Sequence, residues 1–282
     1  MKTEIINKEG IDFLTNEIGD NTVDLILTDP PYIISKESGM DTHYKNVKQN
    51  EKDNVKQVKT EEEWLEFKKT LDKPKKELDA DKGKGWSKEN YIKYGTILGT
   101  KYCTRTDYGE WDKNFTIEQL NDFLKLYFSK LKKGGTLIIW FDLWKISELK
   151  QMLDNIGYKQ IRIIEWIKDN PLPLNQYTNY LTNCREIALT AIKGSKPTFN
   201  SKYDKGIYYF PMESGKHKFH PTQKSLKLFE TLIEKHSNEN DLVIDTFLGS
   251  GTTAVACKNL KRDFKGCEVN KEYFDKIGPR LL

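Results

Sequence analysis

The apolar run Val23, Leu25, Ile26 and Leu27 ends at Asp29-Pro30-Pro31-Tyr32. Leucine and β-branched residues at this density mark a buried strand. Its exit is stiff, because Pro31 disfavours the helical region for Pro30 and neither proline can donate to a ladder. Asp29 and Tyr32 are therefore held at a strand's carboxyl end, the edge of an open α/β sheet where ligands bind. Taken alone, the tetrapeptide is equally compatible with an ordinary proline-punctuated turn.

The rest of the chain supplies partners for that strand. Ile5-Ile6 and Ile11-Asp12-Phe13-Leu14 form a short α/β opening. Phe115 to Leu131 carries Leu120, Phe123, Leu124, Tyr127 and Phe128 at helical spacing behind Thr116 as an N-cap, and Lys133-Gly134-Gly135 is expected to stop it. Thr136 to Phe141 reads as a strand, Ser147 to Ile156 as a helix closed by Gly157, and Ile161 to Ile167 and Ile187 to Ile192 as further strands. His220-Pro221-Thr222-Gln223-Lys224 opens a helix through Leu226, Phe229, Leu232 and Ile233. A strand at 241–245, a small-residue helix at 252–260, a strand at 264–268 and a closing helix at 271–280 follow. Strands alternating with helices of this length predict a parallel sheet covered on both faces.

Between about Ser35 and Lys113 the apolar residues thin out and Lys, Glu and Asp crowd in, which predicts an insertion. Its charge is nearly balanced and does not by itself announce a nucleic acid. The half from Trp86 to Trp111 is richer in aromatics and glycine, and is expected to fold. Gly194 to Phe219 reads as irregular, with lysines interleaved among Phe199, Tyr203, Tyr208, Tyr209 and Phe210, a mixture that suits a phosphate backbone and unstacked bases. A solvated loop with a few packed aromatics is the competing reading.

Composition excludes more than it selects. The 282 residues suffice for one large α/β domain with an insertion or for two smaller domains. A net charge of +4 permits a polyanionic partner without requiring one. The four cysteines show no Cys-x-x-Cys spacing, so neither zinc nor a disulfide framework is indicated. A charged N-terminus and the lack of any long apolar stretch predict a soluble, cytoplasmic protein.

A second motif, Asp245-Thr246-Phe247-Leu248-Gly249-Ser250-Gly251, sits between a predicted strand and a predicted helix. Glycines there allow a tight turn and let a ligand lie against bare backbone. Glu268, at the end of the next strand, is placed to accept hydrogen bonds from both hydroxyls of a ribose. The third glycine of a dinucleotide site and the lysine of a P-loop are both missing, which favours a nucleoside without a phosphate chain.

Asp29-Pro30-Pro31-Tyr32 together with Asp245-x-Phe247-x-Gly249-x-Gly251 resembles the amino-group DNA methyltransferases that use S-adenosylmethionine. The order, catalytic motif first and cofactor motif last, resembles the β arrangement of that family, and His220-Pro221-Thr222-Gln223-Lys224 matches its stretch before the cofactor strand. Ser225 departs from it, standing where a second proline is common. The resemblance covers residues 1–35 and roughly 115–282. It implies a seven-stranded, mostly parallel, circularly permuted Rossmann-like sheet at 1–35 and 114–282, with 36–113 as an inserted target-recognition region helped by 195–219. As site residues it implies Asp29, Pro30, Pro31 and Tyr32 for catalysis. Phe247, Gly249, Ser250, Gly251 and Thr252 would line the cofactor site, with Glu268 on the ribose. Asp29 would also face the methionine ammonium, Thr222 and Lys224 its carboxylate, and Asp12 the adenine amino group. Asp245 and His220 are assigned to the same site, with turn duty and loop orientation as their competing roles.

An exocyclic amine conjugated to a purine is a poor nucleophile. Accepting its hydrogens at Asp29 and at the Pro30 carbonyl would favour a pyramidal nitrogen and aim its lone pair at a methyl sulfonium. Such an atom is inaccessible inside a duplex, so the base must be flipped out, and stacking on Tyr32 would offset about 1 to 3 kcal/mol of the unstacking cost. Within the family, Asp at the first motif position goes more often with adenine N6, and Ser with cytosine N4. The expectation is adenine-N6 methylation of double-stranded DNA. Cytosine-N4 methylation and an inactive DNA-binding module on the same fold are the alternatives; a homodimer and a cognate restriction endonuclease complete the implied partners.

Overall fold

In the computed structural model of the chain, the structure describes residues 2–32, 59–70, 88, 91–92, 115–171, 184–213, 218, 220 and 222–281. Two compact units divide the chain, 1–33 with 108–282 and 34–107. The predicted division was 1–35 with 114–282 and 36–113. Most of the expected insertion, including Trp86, Tyr94, Tyr102 and Tyr108, lies outside the described residues, as does Pro221.

The larger unit is built on one sheet of eight strands among the described residues: β1 (Thr3–Ile6), β2 (Val23–Thr28), β3 (Leu131–Phe141), β4 (Lys159–Lys168), β5 (Arg185–Ile192), β6 (Ile207–Phe210), β7 (Leu242–Asp245) and β8 (Asp263–Cys267). Their spatial order is β1-β8-β7-β2-β3-β5-β4-β6. All pairings are parallel except those of β5, which runs against both β3 and β4. The sheet is thus mixed and mostly parallel. It has one strand more than the seven expected, because β6 arises inside the segment read as irregular.

That strand reassigns several aromatics. Tyr208 pairs with Trp166 across β6 and β4, is 8% exposed, and donates to Asp204 at 3.0 Å, while Phe210 packs on the core. Both are structural, whereas Tyr203, Tyr209 and Phe199 remain exposed.

Period-two alternation sends residues to two cores, one on each face. From β2, Ile26 faces one core while Leu25 and Leu27 face the other; from β3, Leu137, Ile139 and Phe141 divide in the same way from Ile138 and Trp140. Helices α1 (Gly10–Glu17), α3 (Ile117–Lys130) and α4 (Ile146–Ile156) cover the first face through Phe13, Leu124 and Leu153. Helices α5 (Leu226–His236), α6 (Thr252–Asn259) and α7 (Lys271–Ile277) cover the second through Leu232, Ala256 and Ile277.

Helix boundaries follow local chemistry. Thr116 and Gln119 close a capping box at the start of α3. That helix ends at Lys130, before the predicted Lys133-Gly134-Gly135 stop, because Leu131 already pairs with Val23 and begins β3. Gly157 ends α4 with a φ of 110°, a left-handed turn that suits glycine. His220 and Thr222 to Lys224 precede α5 and form none of its turns; the Gln223 amide donates to the His220 carbonyl at 3.2 Å.

In the smaller unit, α2 (Glu61–Lys69) starts at a Thr60–Glu63 capping box. Trp64 is 2% exposed and packs with Phe67 and Tyr91, whose rings stack at 4.4 Å. Trp64, Phe67 and Tyr91 thus form a small aromatic cluster within the expected insertion.

Candidate functional site

From β2 the chain leads to β3 on one side, and from β7 to β8 on the other, with β2 and β7 adjacent. Strand order reverses between them, and a crevice outside the carboxyl ends is the expected ligand position in such a sheet. The two sequence motifs leave the sheet at these two strands: Asp29 directly follows β2, and Asp245 ends β7.

On the β2 side lies a buried ionic cluster. Lys224, 6% exposed, places Nζ 2.8 Å from Asp29 Oδ2, 2.6 Å from Glu186 Oε2 and 3.2 Å from the Tyr32 hydroxyl. Glu186 holds Lys168 at 2.6 Å through its other oxygen. The Lys224 ammonium also lies over the Tyr32 and Trp140 rings, 5.4 and 5.6 Å from their centroids. Tyr32 meets Phe141 edge to face at 6.1 Å. Asp29 Oδ1 is buried and has no hydrogen-bond partner. Burial raises the Asp29 pKa above the usual carboxylate value; Lys224 opposes that rise and Glu186 adds to it. Burial works against the Glu186 charge too, but Lys224 and Lys168 outweigh it and hold that carboxyl low. Two anions on one lysine keep Lys224 protonated well beyond its ordinary range despite its burial.

The reversal of β5 makes this cluster possible. An antiparallel strand begins at the edge where its neighbours end, so Glu186, the second residue of β5, lies at the carboxyl edge with Lys168 of β4 and Asp29. The sequence reading left Glu186, Lys168 and Trp140 unassigned. The available signal was an acidic residue directly before the mostly apolar run Ile187 to Ile192.

On the β7 side the groups are mostly backbone. Gly249 and Gly251 have φ of 51° and 78°, the left-handed region where a side chain is strained. A Cβ on Gly251 would lie 2.6 Å from Ile277 Cγ2, and one on Gly249 would approach the His220 ring at 3.5 Å. Glu268, 7% exposed, accepts from the Gly249 amide at 2.7 Å and from the Asn270 amide at 2.8 Å. Burial raises its pKa, and these two amides oppose the rise. Phe247 packs against Phe123 and Phe115 at 4.8 and 5.6 Å. Asn7, also unassigned in sequence, donates to the Glu268 carbonyl at 2.6 Å.

Asp245 is fully committed within the protein. Oδ1 accepts from Thr28 at 2.8 Å and from the Phe247 amide at 3.0 Å, and Oδ2 accepts from Thr253 at 2.6 Å. It ties β2, the glycine turn and α6 together. Burial pushes its pKa up to about 6.

The remaining predicted residues are placed unevenly. Asp12 is exposed on α1, paired with Lys8 at 3.4 Å and accepting from Asn16; none of these contacts joins it to the other candidates, so its proposed contact with an adenine amino group lacks support. Lys224 directs its ammonium at three protein oxygens, Asp29 Oδ2, Glu186 Oε2 and the Tyr32 hydroxyl. Thr222 is exposed and hydrogen-bonded to His220 Nδ1 at 3.1 Å. The His220 ring packs edge to face on Tyr273 at 4.5 Å, and burial lowers its pKa to about 4, so it is neutral near pH 7. Ser250 and Thr252 are buried and joined through their hydroxyls at 3.0 Å, and Arg280 donates to the Ser250 carbonyl.

The two halves offer different chemistry. One presents a carboxylate oxygen ready to accept an N–H, beside an aromatic wall; the other presents a bare backbone turn with an acid opposite it.

Residues 23–278 match the N6/N4 methyltransferase family model, described as DNA methylase. Among curated proteins, the chain is 34% identical over 195 residues to the type II methyltransferase M2.LlaDCHI of Lactococcus lactis subsp. cremoris, covering 62% of this chain and 72% of that one. To M2.DpnII of Streptococcus pneumoniae it is 33% identical over 194 residues, with the same coverage. Among solved structures, the M1.HpyAVI–SAM complex superposes with a TM-score of 0.62 at 26% identity, over 99% of this chain and 98% of that one.

Proposed function

The chain belongs to the N6/N4 family of DNA methylases, and from that premise we propose that it transfers a methyl group from S-adenosylmethionine to the N6 amine of adenine in double-stranded DNA. The observation that carries this reading is Asp29 Oδ1, a buried carboxylate oxygen without a partner on a carboxylate whose other oxygen is held by Lys224. An amine hydrogen is the ligand such an atom accepts.

The residues of the β7 side fit a nucleoside cofactor. The turn at Gly249 and Gly251 leaves backbone bare, Glu268 is held by two amides with lone pairs to spare for ribose hydroxyls, and Phe247 offers an aromatic surface. S-Adenosylmethionine, when bound, supplies an electrophilic methyl group on sulfur. Asp29 Oδ1 accepts one hydrogen of the amine and the Pro30 carbonyl the other, which localises the nitrogen lone pair. Tyr32, braced by Phe141, stacks on the flipped base. Asp29 then takes the proton that the amine loses as its new bond forms.

Residues 36–113, together with exposed Tyr203, Tyr209 and Phe199, are the proposed DNA-contacting parts. Among the described residues no helix is long and apolar enough to cross a membrane. Cytoplasmic location, pairing with a restriction endonuclease and a homodimer are part of the same proposal, supported by the likeness to type II methyltransferases.

The test is transfer of labelled methyl from S-adenosylmethionine to genomic DNA, followed by hydrolysis and identification of the labelled nucleoside. N6-Methyladenine is expected. N4-Methylcytosine would keep the mechanism and overturn the choice of base, and label absent from DNA would overturn both.

A further inference from the structure

Lys224 lies between two carboxylates, Asp29 directly after β2 and Glu186 at the start of β5. Two acidic side chains, Asp29 and Glu186, face two basic ones, Lys224 and Lys168, in one patch that is buried at Lys224 and part-buried at the other three. A buried ion pair contributes little to stability compared with an apolar replacement of similar volume, since desolvation offsets most of the attraction. A clamp that is costly to bury and leaves one acceptor unsatisfied points to a use in positioning. Asp29 has two chemically equivalent oxygens, and a free carboxylate would rotate between them. With Oδ2 held at 2.8 Å by Lys224, rotation stops and Oδ1 alone is left as a buried acceptor without a partner.

We propose that Lys224 and Glu186 are positioning residues for the methyl-accepting amine: Lys224 locks the Asp29 carboxylate so that Oδ1 receives the amine hydrogen, and Glu186 anchors Lys224 in the lock. The inference rests on the reading of Asp29 as the amine acceptor. Lys224 comes from the approach to α5 and Glu186 from the start of β5, so two elements distant in sequence fix one rotamer. Lys168 on β4 anchors Glu186 in turn. The groups facing Asp29 are Lys224 before α5, Glu186 on β5 and Tyr32 on its own turn, with Asp245 on β7 near enough to feel its charge.

Opposite charges flanking Asp29 give the test its sign. Removing Lys224 takes away a neighbour that lowers the Asp29 pKa, and removing Glu186 takes away one that raises it. The full-length protein would be titrated by carbon-13 NMR of its Asp carboxyls, with Asp29→Asn to assign the resonance, in wild type, Lys224→Met and Glu186→Gln. Methyl transfer to DNA and cofactor KM would be measured on the same proteins. Expected is an upward shift of the Asp29 titration in Lys224→Met and a downward shift in Glu186→Gln. With them should go a loss in kcat of about 100-fold and about 10-fold respectively, as for misplaced catalytic groups, and cofactor KM should hold within about twofold. Lys224→Arg keeps the charge, so it should return the titration toward wild type and recover most of kcat.

An Asp29 titration unmoved in both variants would overturn the proposal. So would a raised cofactor KM with unchanged kcat in Lys224→Met, which would assign that lysine to the cofactor. If Lys224→Met fails to fold, the nearly isosteric Glu186→Gln and the charge-keeping Lys224→Arg carry the same test. A wild type that transfers no methyl to DNA would sink the functional reading, while the NMR titrations would still decide whether the clamp exists.

Discussion

The ends of β2 and β7 are neighbours in the same sheet, yet they are finished in opposite ways. Beyond β2 the chain gathers ionisable side chains, Asp29, Lys224, Glu186 and Lys168, and leaves one acceptor open. Beyond β7 it turns on glycines, and the Asp245 carboxylate is consumed by protein donors. An open acceptor next to a locked charge can take part in proton chemistry, whereas a saturated turn can only shape a surface. In the proposed function, catalytic and binding duties are divided between adjacent strand ends, and substitutions on the two sides should fail differently.

The largest expected effect is on the β2 side. Asp29→Ala should lower methyl transfer by about 1000-fold or more while calorimetry still detects cofactor binding. Unimpaired transfer would remove Asp29 from the chemistry and erase the contrast.

On the β7 side the effects should appear first in stability. The Asp245 pKa is raised from 3.8 to about 6 by burial, so the folded state holds a proton there that the unfolded chain gives up. That contribution is fully present below about pH 4 and is lost as the pH rises through 6, a span of about 3 kcal/mol. Denaturant unfolding from pH 4 to 7 should show this decline, and Asp245→Asn should flatten it. Gly251→Ala, strained by its φ of 78° and by Ile277, should cost about 1 to 3 kcal/mol in the same assay and weaken cofactor binding.

The smallest effect sharpens the boundary between the halves. The His220 ring packs between the glycine turn and Tyr273 and is neutral at working pH. His220→Phe keeps the ring and loses the bond to Thr222, so cofactor KM should rise about 3- to 10-fold, with the pH–rate profile unmoved. Loss of a limb near pH 4 would make His220 a proton carrier and shift chemistry to the wrong side.

Much of this architecture was legible in the residues. Apolar runs bounded by Pro or Gly located seven of the eight strands, and Thr116 and Gly157 marked the ends of their helices, because capping and left-handed turns are local chemistry. β6 escaped because Ile207 to Phe210 is short and embedded among lysines and polar residues; it becomes a strand only by pairing with β4. Tyr208 was read as a base-stacking candidate for the same reason, since burial is not a property of a tyrosine in sequence. Asp12 fits its proposed role by position along the chain alone; helical phase turns it to solvent.

From the sequence alone came the sheet class, the two motifs and their attachment to strand ends, because hydrophobic period and proline or glycine turns are short-range and survive without knowledge of the partner strands. Only the tertiary structure decided what each charged residue does. Asp29, Glu186 and Lys224 are far apart in the chain, and Glu186 reaches the site because β5 runs backwards. Strand direction depends on how the whole sheet buries its faces, and no single strand records it.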